Sequence, residues 1–122
     1  MARVLVAEDE VLIRVDIVET LEEGGHTVVG EAGDGEQAMR VVAEHQGPIH
    51  LLVTDVVMPR MSGLEVASQL TQTRPGIRIL LMSGYPNEAA MRHGVPPGAS
   101  LLQKPFNAVG LARAVRQVLD AS

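Results

Sequence analysis

Five short apolar runs, each broken off by turn-forming or charged residues and each followed by a change of period, constrain this chain more than any other feature. Val4 to Ala7 stops at Glu8-Asp9-Glu10, and apolar residues then recur as Ile13, Ile17 and Leu21, with Val11, Val15 and Val18 widening the face. That is a strand followed by an amphipathic helix. Gly24-Gly25 ends the helix, Thr27 to Ala32 forms a second strand closed by Gly33-Asp34-Gly35, and Ala38, Val41 and Val42 mark a second helix running to about Gln46. Ile49 to Thr54 is a third strand, apolar enough to be buried on both faces, so Asp55 emerges where it leaves the core. Leu64, Ala67 and Leu70 mark a third helix ended by Arg74-Pro75-Gly76, and Ile77 to Met82 is a fourth strand that stops at Ser83-Gly84-Tyr85-Pro86. Pro96 and Pro97 interrupt the segment from Asn87 to Gly98, so a fourth helix there is expected to be short or poorly ordered. Ala99 to Leu102 is a brief fifth strand leading into Gln103-Lys104-Pro105-Phe106, after which Asn107 can cap a last helix carrying Leu111, Ala114, Val115, Val118 and Leu119 on one side.

Strict alternation of strand and helix implies an α/β protein with a parallel sheet, right-handed crossovers and helices on both faces. The 122 residues suffice for one domain, 1–122, and are too few for two ordinary ones. With no Trp, one Tyr and one Phe, the core must be aliphatic. The formal charge of -5 and pI near 5.3 argue against a nucleic-acid surface or an anionic membrane surface, both of which need a basic patch. The absence of cysteine excludes disulfides, thiolate catalysis and cysteine zinc sites. The N-terminus is apolar too briefly for a signal peptide or a membrane span, which fits a soluble, cytoplasmic protein.

In a parallel sheet the residues just past each strand gather on one edge. Here they are Glu8 and Asp9, Asp55, Ser83 and Lys104. With the strand order 2-1-3-4-5 of the flavodoxin-like doubly wound sheet, the first and third strands are neighbours and three carboxylates share a crevice. Two such charges about 4 Å apart repel by roughly 4 kcal/mol at an effective dielectric near 20. Either a proton is taken up or a cation sits between them, and an all-oxygen site with water and phosphate oxygens suits Mg²⁺.

Glu8-Asp9, Asp55 with Met58-Pro59 and Gly63 at fixed offsets, Ser83-Gly84 and Lys104-Pro105 together resemble the receiver domain of the two-component response-regulator family, and they span nearly the whole chain. The strand order used above is itself that of the family. The resemblance implies that Asp55 accepts a phosphoryl group from a phosphohistidine on a sensor histidine kinase or histidine phosphotransfer protein. It implies that Asp9, Asp55 and the Val57 carbonyl hold Mg²⁺, with Glu8 acting through water. Lys104 would pair with a phosphoryl oxygen and the Ser83 hydroxyl would donate to another, with a cis Lys104-Pro105 bond turning the lysine into the crevice. Such a protein is not an ordinary enzyme, although it catalyses its own aspartyl phosphorylation and dephosphorylation, and it would be a monomer or weak homodimer.

Receivers commonly carry an aromatic switch residue three positions before the lysine, where this chain has Leu101, and Tyr85 is the only tyrosine that could take part in an altered coupling. The Ser83-Gly84-Tyr85-Pro86 run resembles receivers attached to hybrid kinases or standing alone in phosphorelays, and the expected response is ordering of the segment from Ser83 to Gly98. A haloacid-dehalogenase-type phosphatase would need a second acid in Asp55-Val56-Val57, and a flavin module would not put Glu8-Asp9-Glu10 where phosphate must sit. A pseudo-receiver serving only as a binding module would be expected to have lost Asp55 or Lys104. Asp34 before Gly35 reads as a turn or cap residue, and His26, His45, His50 and His93 lack metal-ligand spacing and read as surface residues.

Overall fold

The computed structural model describes residues 2–84 and 98–121. Its elements run β1 (Arg3–Ala7), α1 (Val11–Glu23), β2 (Thr27–Ala32), α2 (Gly35–Glu44), β3 (Leu51–Asp55), α3 (Gly63–Thr73), β4 (Arg78–Ser83), β5 (Ala99–Gln103) and α4 (Ala108–Asp120). The five strands form one parallel sheet in the order β2-β1-β3-β4-β5. This is the flavodoxin-like doubly wound arrangement expected from the alternation. The helix expected between β4 and β5, and Tyr85 and His93 with it, lie outside the described residues.

Every residue of β3 is buried, as its unbroken apolar run requires. The pleat divides the core in two. Leu5, Ala7, Leu52, Ile79 and Leu81 face α2 and α3 through Ala38, Val42, Val66, Ala67 and Leu70. Val4, Val6, Leu51, Val53, Leu80 and Met82 face α1 and the last helix through Ile17, Leu21, Leu111, Val115 and Val118. Alternate side chains of one strand therefore feed opposite layers.

One expectation fails on α1. Val11 and Val15 do not widen the buried face; with Leu12 they point to solvent, because the stripe that meets the sheet is the one carrying Ile17 and Leu21. The stripe of Ile13, Ile17 and Leu21, with Val18 beside it, does pack on the sheet as its period predicts; the apolar residues beyond that stripe could not be assigned a side.

Helix starts are fixed locally. Asp34 accepts from the Gln37 N–H, Ser62 and Glu65 form a reciprocal capping box, and Asn107 accepts from the Gly110 N–H. Two helix ends are fixed at long range. No basic residue lies in the last turn of α2 or α4. Instead Arg74 donates to the carbonyls of Val42, His45 and Gly47, and Arg78 to those of Val118 and Ala121. At the same pole of the sheet His26 and His50, which read as plain surface residues, accept the backbone N–H groups of Ala2 and Arg3 through Nδ1.

Candidate functional site

The C-terminal ends of β1, β3, β4 and β5 bring the expected residues to one edge. Glu8 is fully buried, Asp55 and Ser83 nearly so, while Asp9 is exposed. Carboxylate oxygens of Glu8, Asp9 and Asp55 all lie within 4.8 Å of one another. Lys104 arrives from the end of β5, where its backbone N–H donates to the Ser83 carbonyl at 2.7 Å and the Lys104–Pro105 bond is cis. Its Nζ lies 2.6 Å from Asp55 Oδ1 and 2.7 Å from Glu8 Oε1. One ammonium thus bridges two of the three acids.

Glu8 has every polar group partnered. Its N–H donates to the Ala32 carbonyl at 2.9 Å and its own carbonyl accepts from Arg14 Nη1 at 2.7 Å. Oε2 accepts from the Glu10 N–H at 2.9 Å and Oε1 from Lys104. A buried carboxylate is tolerated only when it is satisfied in this way. Burial pushes the Glu8 carboxyl up, but hydrogen bonding with Asp55, Lys104 and the Glu10 N–H outweighs it and holds the group below its ordinary value. Asp55 goes the other way. Burial, then the hydrogen-bonded contact with Glu8, pushes it up to about 8, against the pull of Lys104. Lys104 loses some of its basicity to burial and gains more from Asp55 and Glu8, so it stays charged. Burial thus favours the protonated form of Asp55, while hydrogen bonds favour the ionised form of Glu8.

The loop after β3 is shaped around the Asp55 backbone. Val56 N–H donates to the Met82 carbonyl, Gly63 N–H donates to the Val56 carbonyl, and the Thr54 hydroxyl donates to the Asp55 carbonyl at 3.0 Å. A Cβ at Gly63 would overlap the Asp55 carbonyl oxygen, and one at Gly35 would overlap the Met61 carbonyl. Glycine at both positions lets this loop lie against β3 and α2. Val57, two residues past Asp55, projects into solvent at 65% exposure. Leu101 pairs with Leu81 across the sheet at 38% exposure and belongs to neither core layer.

The family profile described as the response regulator receiver domain matches residues 4–116. The chain belongs to this family. Curated receivers and solved structures agree with it. The receiver is 37% identical over 121 residues to the sensor kinase CckA of Brucella abortus, covering 98% of the chain but 13% of that kinase. It is 37% identical over 113 residues to the transcriptional regulatory protein PdtaR of Mycobacterium tuberculosis, covering 93% of the chain and 54% of that protein. The response regulator receiver protein CpdR of Brucella abortus is 33% identical over 123 residues, with both chains fully covered. Among solved structures, a response regulator receiver protein from Sinorhizobium medicae superposes with a TM-score of 0.85 at 29% identity, over 98% of this chain and 95% of that one.

Two residues of the receiver's acidic edge escaped the sequence reading. Thr54 looked like one more β-former in an apolar run. Arg14, a turn past three consecutive acids, drew no reading. No helix among the described residues is long and apolar enough to cross a membrane.

Proposed function

We propose that this receiver is a phosphoacceptor switch in two-component signal transduction, with Asp55 as the residue that carries the phosphoryl group. The observation that supports it most is the pairing of one buried carboxylate with an ammonium 2.6 Å away on a sheet edge where two further acids converge. In this reading Asp55 Oδ attacks the phosphorus of a phosphohistidine, the P–N bond breaks as the P–O bond forms, and the imidazole nitrogen leaves with the electron pair. Asp55 has to be ionised to attack. Its raised pKa makes that costly without a divalent cation and cheap with one.

The donor set fits Mg²⁺: three carboxylates in reach of one point, of which Glu8 is already satisfied and Asp9 is exposed. Asp9, Asp55 and the Val57 carbonyl would hold it, with Glu8 acting through water. When bound, the ion supplies positive charge against the phosphoryl oxygens. Lys104 then exchanges its carboxylate contact for a phosphoryl oxygen, and Ser83 at the end of β4 serves as hydroxyl donor to another. Tyr85 and Leu101 are assigned to relaying the change to a partner.

The partner is a histidine kinase or histidine phosphotransfer protein. The site lies at the C-terminal edge of the sheet, and the elements that leave this edge, α1 with Val11, Leu12 and Val15 and the β3–α3 loop with Val57, offer exposed apolar surface to such a partner. Residues 1–122 act as one receiver unit in the cytoplasm.

The test is to incubate the protein with acetyl phosphate and Mg²⁺ and weigh it intact. One phosphoryl mass is expected on the parent and none on Asp55→Asn. An adduct that persists in Asp55→Asn overturns the acceptor. A beryllofluoride complex that forms on the parent while no adduct accumulates points to rapid hydrolysis, whereas neither forming favours a binding module that works without phosphorylation.

A further inference from the structure

Arg14 sits on α1 behind the acidic loop, with no assigned part in the chemistry. Its Nη1 donates to the Glu8 backbone carbonyl at 2.7 Å. Its Nε lies 3.4 Å from Glu31 Oε1 on β2, close enough to pair charges, yet that buried nitrogen makes no hydrogen bond. The guanidinium also lies against Gly33, where a Cβ would meet Nη1 at 3.2 Å. The hydrogen bond to Glu8 is therefore the directed contact, and Glu31 and the small Gly33 make room for it.

The carbonyl that Arg14 holds belongs to the peptide joining Glu8 to Asp9. A peptide unit is planar, so fixing the direction of the Glu8 carbonyl also fixes the Asp9 N–H and the point from which the Asp9 side chain departs. The other half of Glu8 is clamped independently by the Ala32 carbonyl, the Glu10 N–H and Lys104. Asp9 has no such clamp on its side chain: it is exposed, and among the described residues no hydrogen bond or ion pair holds it. What aims Asp9 is the plane of the bond before it.

We propose that Arg14 is a positioning residue for the divalent cation site, acting through the Glu8–Asp9 peptide plane. This rests on the phosphoacceptor reading above. Guanidinium suits the task because its donor is held in a rigid fork and its charge is permanent. Removing an outer residue that orients a metal ligand weakens metal affinity about 10- to 100-fold.

The experiment measures Mg²⁺ affinity of the full chain by NMR titration for the parent, Arg14→Gln, Arg14→Lys and Glu31→Gln, following the Asp9 amide ¹⁵N shift in each without metal. The expected result is about tenfold weaker Mg²⁺ binding in Arg14→Gln, a displaced Asp9 ¹⁵N resonance, partial recovery of both in Arg14→Lys, and near-parent values in Glu31→Gln. A folded Arg14→Gln with lower thermal stability but parent affinity and an unmoved Asp9 amide would make the residue merely structural. If Arg14→Gln does not fold, Arg14→Lys decides: parent Asp9 shift and affinity overturn the proposal, and intermediate values support it. A parent protein that binds no Mg²⁺ at all overturns the phosphoacceptor reading itself, and the Arg14 proposal falls with it. That outcome is distinct from a parent that binds and a variant that binds equally well.

Discussion

Lys104 Nζ lies 2.6 Å from Asp55 Oδ1, and the same ammonium reaches Glu8 Oε1 at 2.7 Å. The lysine therefore sets positive charge directly between two buried acids. A partly buried cation between two buried acids is a structural necessity before it is a functional group, since removing one partner of such a cluster leaves uncompensated charge behind.

Replacing it with an apolar residue of similar length should expose this double role. Lys104→Met is expected to lower metal-free stability by about 3 kcal/mol at alkaline pH. Mg²⁺ should restore more stability to the variant than it adds to the parent, because it replaces a lost charge there. Chemical denaturation with and without Mg²⁺ checks this, and equal Mg²⁺ increments would refute it.

The pH dependence has a defined sign. Asp55 has a pKa of about 8 in the fold against an ordinary 3.8. Between these values the native state holds a proton that the unfolded chain has released, so this group makes stability fall as pH rises, by at most about 1.4 kcal/mol per pH unit. Glu8 is shifted down from 4.5, so its contribution is complete above that value and is lost only as pH falls below it. His26 is held below 6.5 by burial and by nearby positive charge, Arg116 included, and its slope has the opposite sign but ends near that value. The interval from about pH 7 to about pH 8 therefore isolates Asp55. Denaturation midpoints should fall across it in the metal-free parent and stay level in Asp55→Asn or with saturating Mg²⁺.

Gly63→Ala places a methyl group onto the Asp55 carbonyl oxygen. The loop must move, at a cost of about 3 kcal/mol, and the Val56 carbonyl loses its geometry with the Gly63 N–H. Thermal melting should show the loss, and acetyl phosphate labelling of whatever remains folded should be slower than in the parent.

Leu12 on α1 is 81% exposed. If the rim receives the phosphohistidine donor, Leu12→Ser should weaken transfer from a cognate donor by about 1 to 2 kcal/mol and leave labelling by acetyl phosphate unchanged. Parallel time courses with the two phosphate sources separate these effects, and equal slowing of both would place Leu12 in the chemistry instead.

Much of this was legible in order along the chain because strand ends carry their own punctuation. The unbroken run before Asp55 announced a strand buried on both faces, and Asp34 and Asn107 read as a turn-or-cap residue and a cap, each accepting from an N–H three residues on; the Ser62 capping box was not read in advance. What stayed hidden was set by distance or by symmetry. The outward turn of Val11 and Val15 could not be read from a helix with apolar residues beyond its main stripe. Arg14 and Thr54 act through backbone carbonyls, which leave no trace in residue type. His26 and His50 looked idle because their partners, the N–H groups of Ala2 and Arg3, lie far off in sequence at the start of the chain.

The borrowed helix ends have a consequence for how the protein comes apart. The last turn of α2 depends on Arg74, which follows α3, and the last turn of α4 depends on Arg78, at the start of β4. Neither terminus has a basic residue of its own to fall back on. Fraying at either end thus requires the chain near β4 to let go first, which ties the flanks to the middle of the sheet in one cooperative unit. Amide protons in those last turns should exchange on the timescale of global unfolding, leaving the acidic edge free to rearrange on a scaffold whose opposite pole is tied across by arginines.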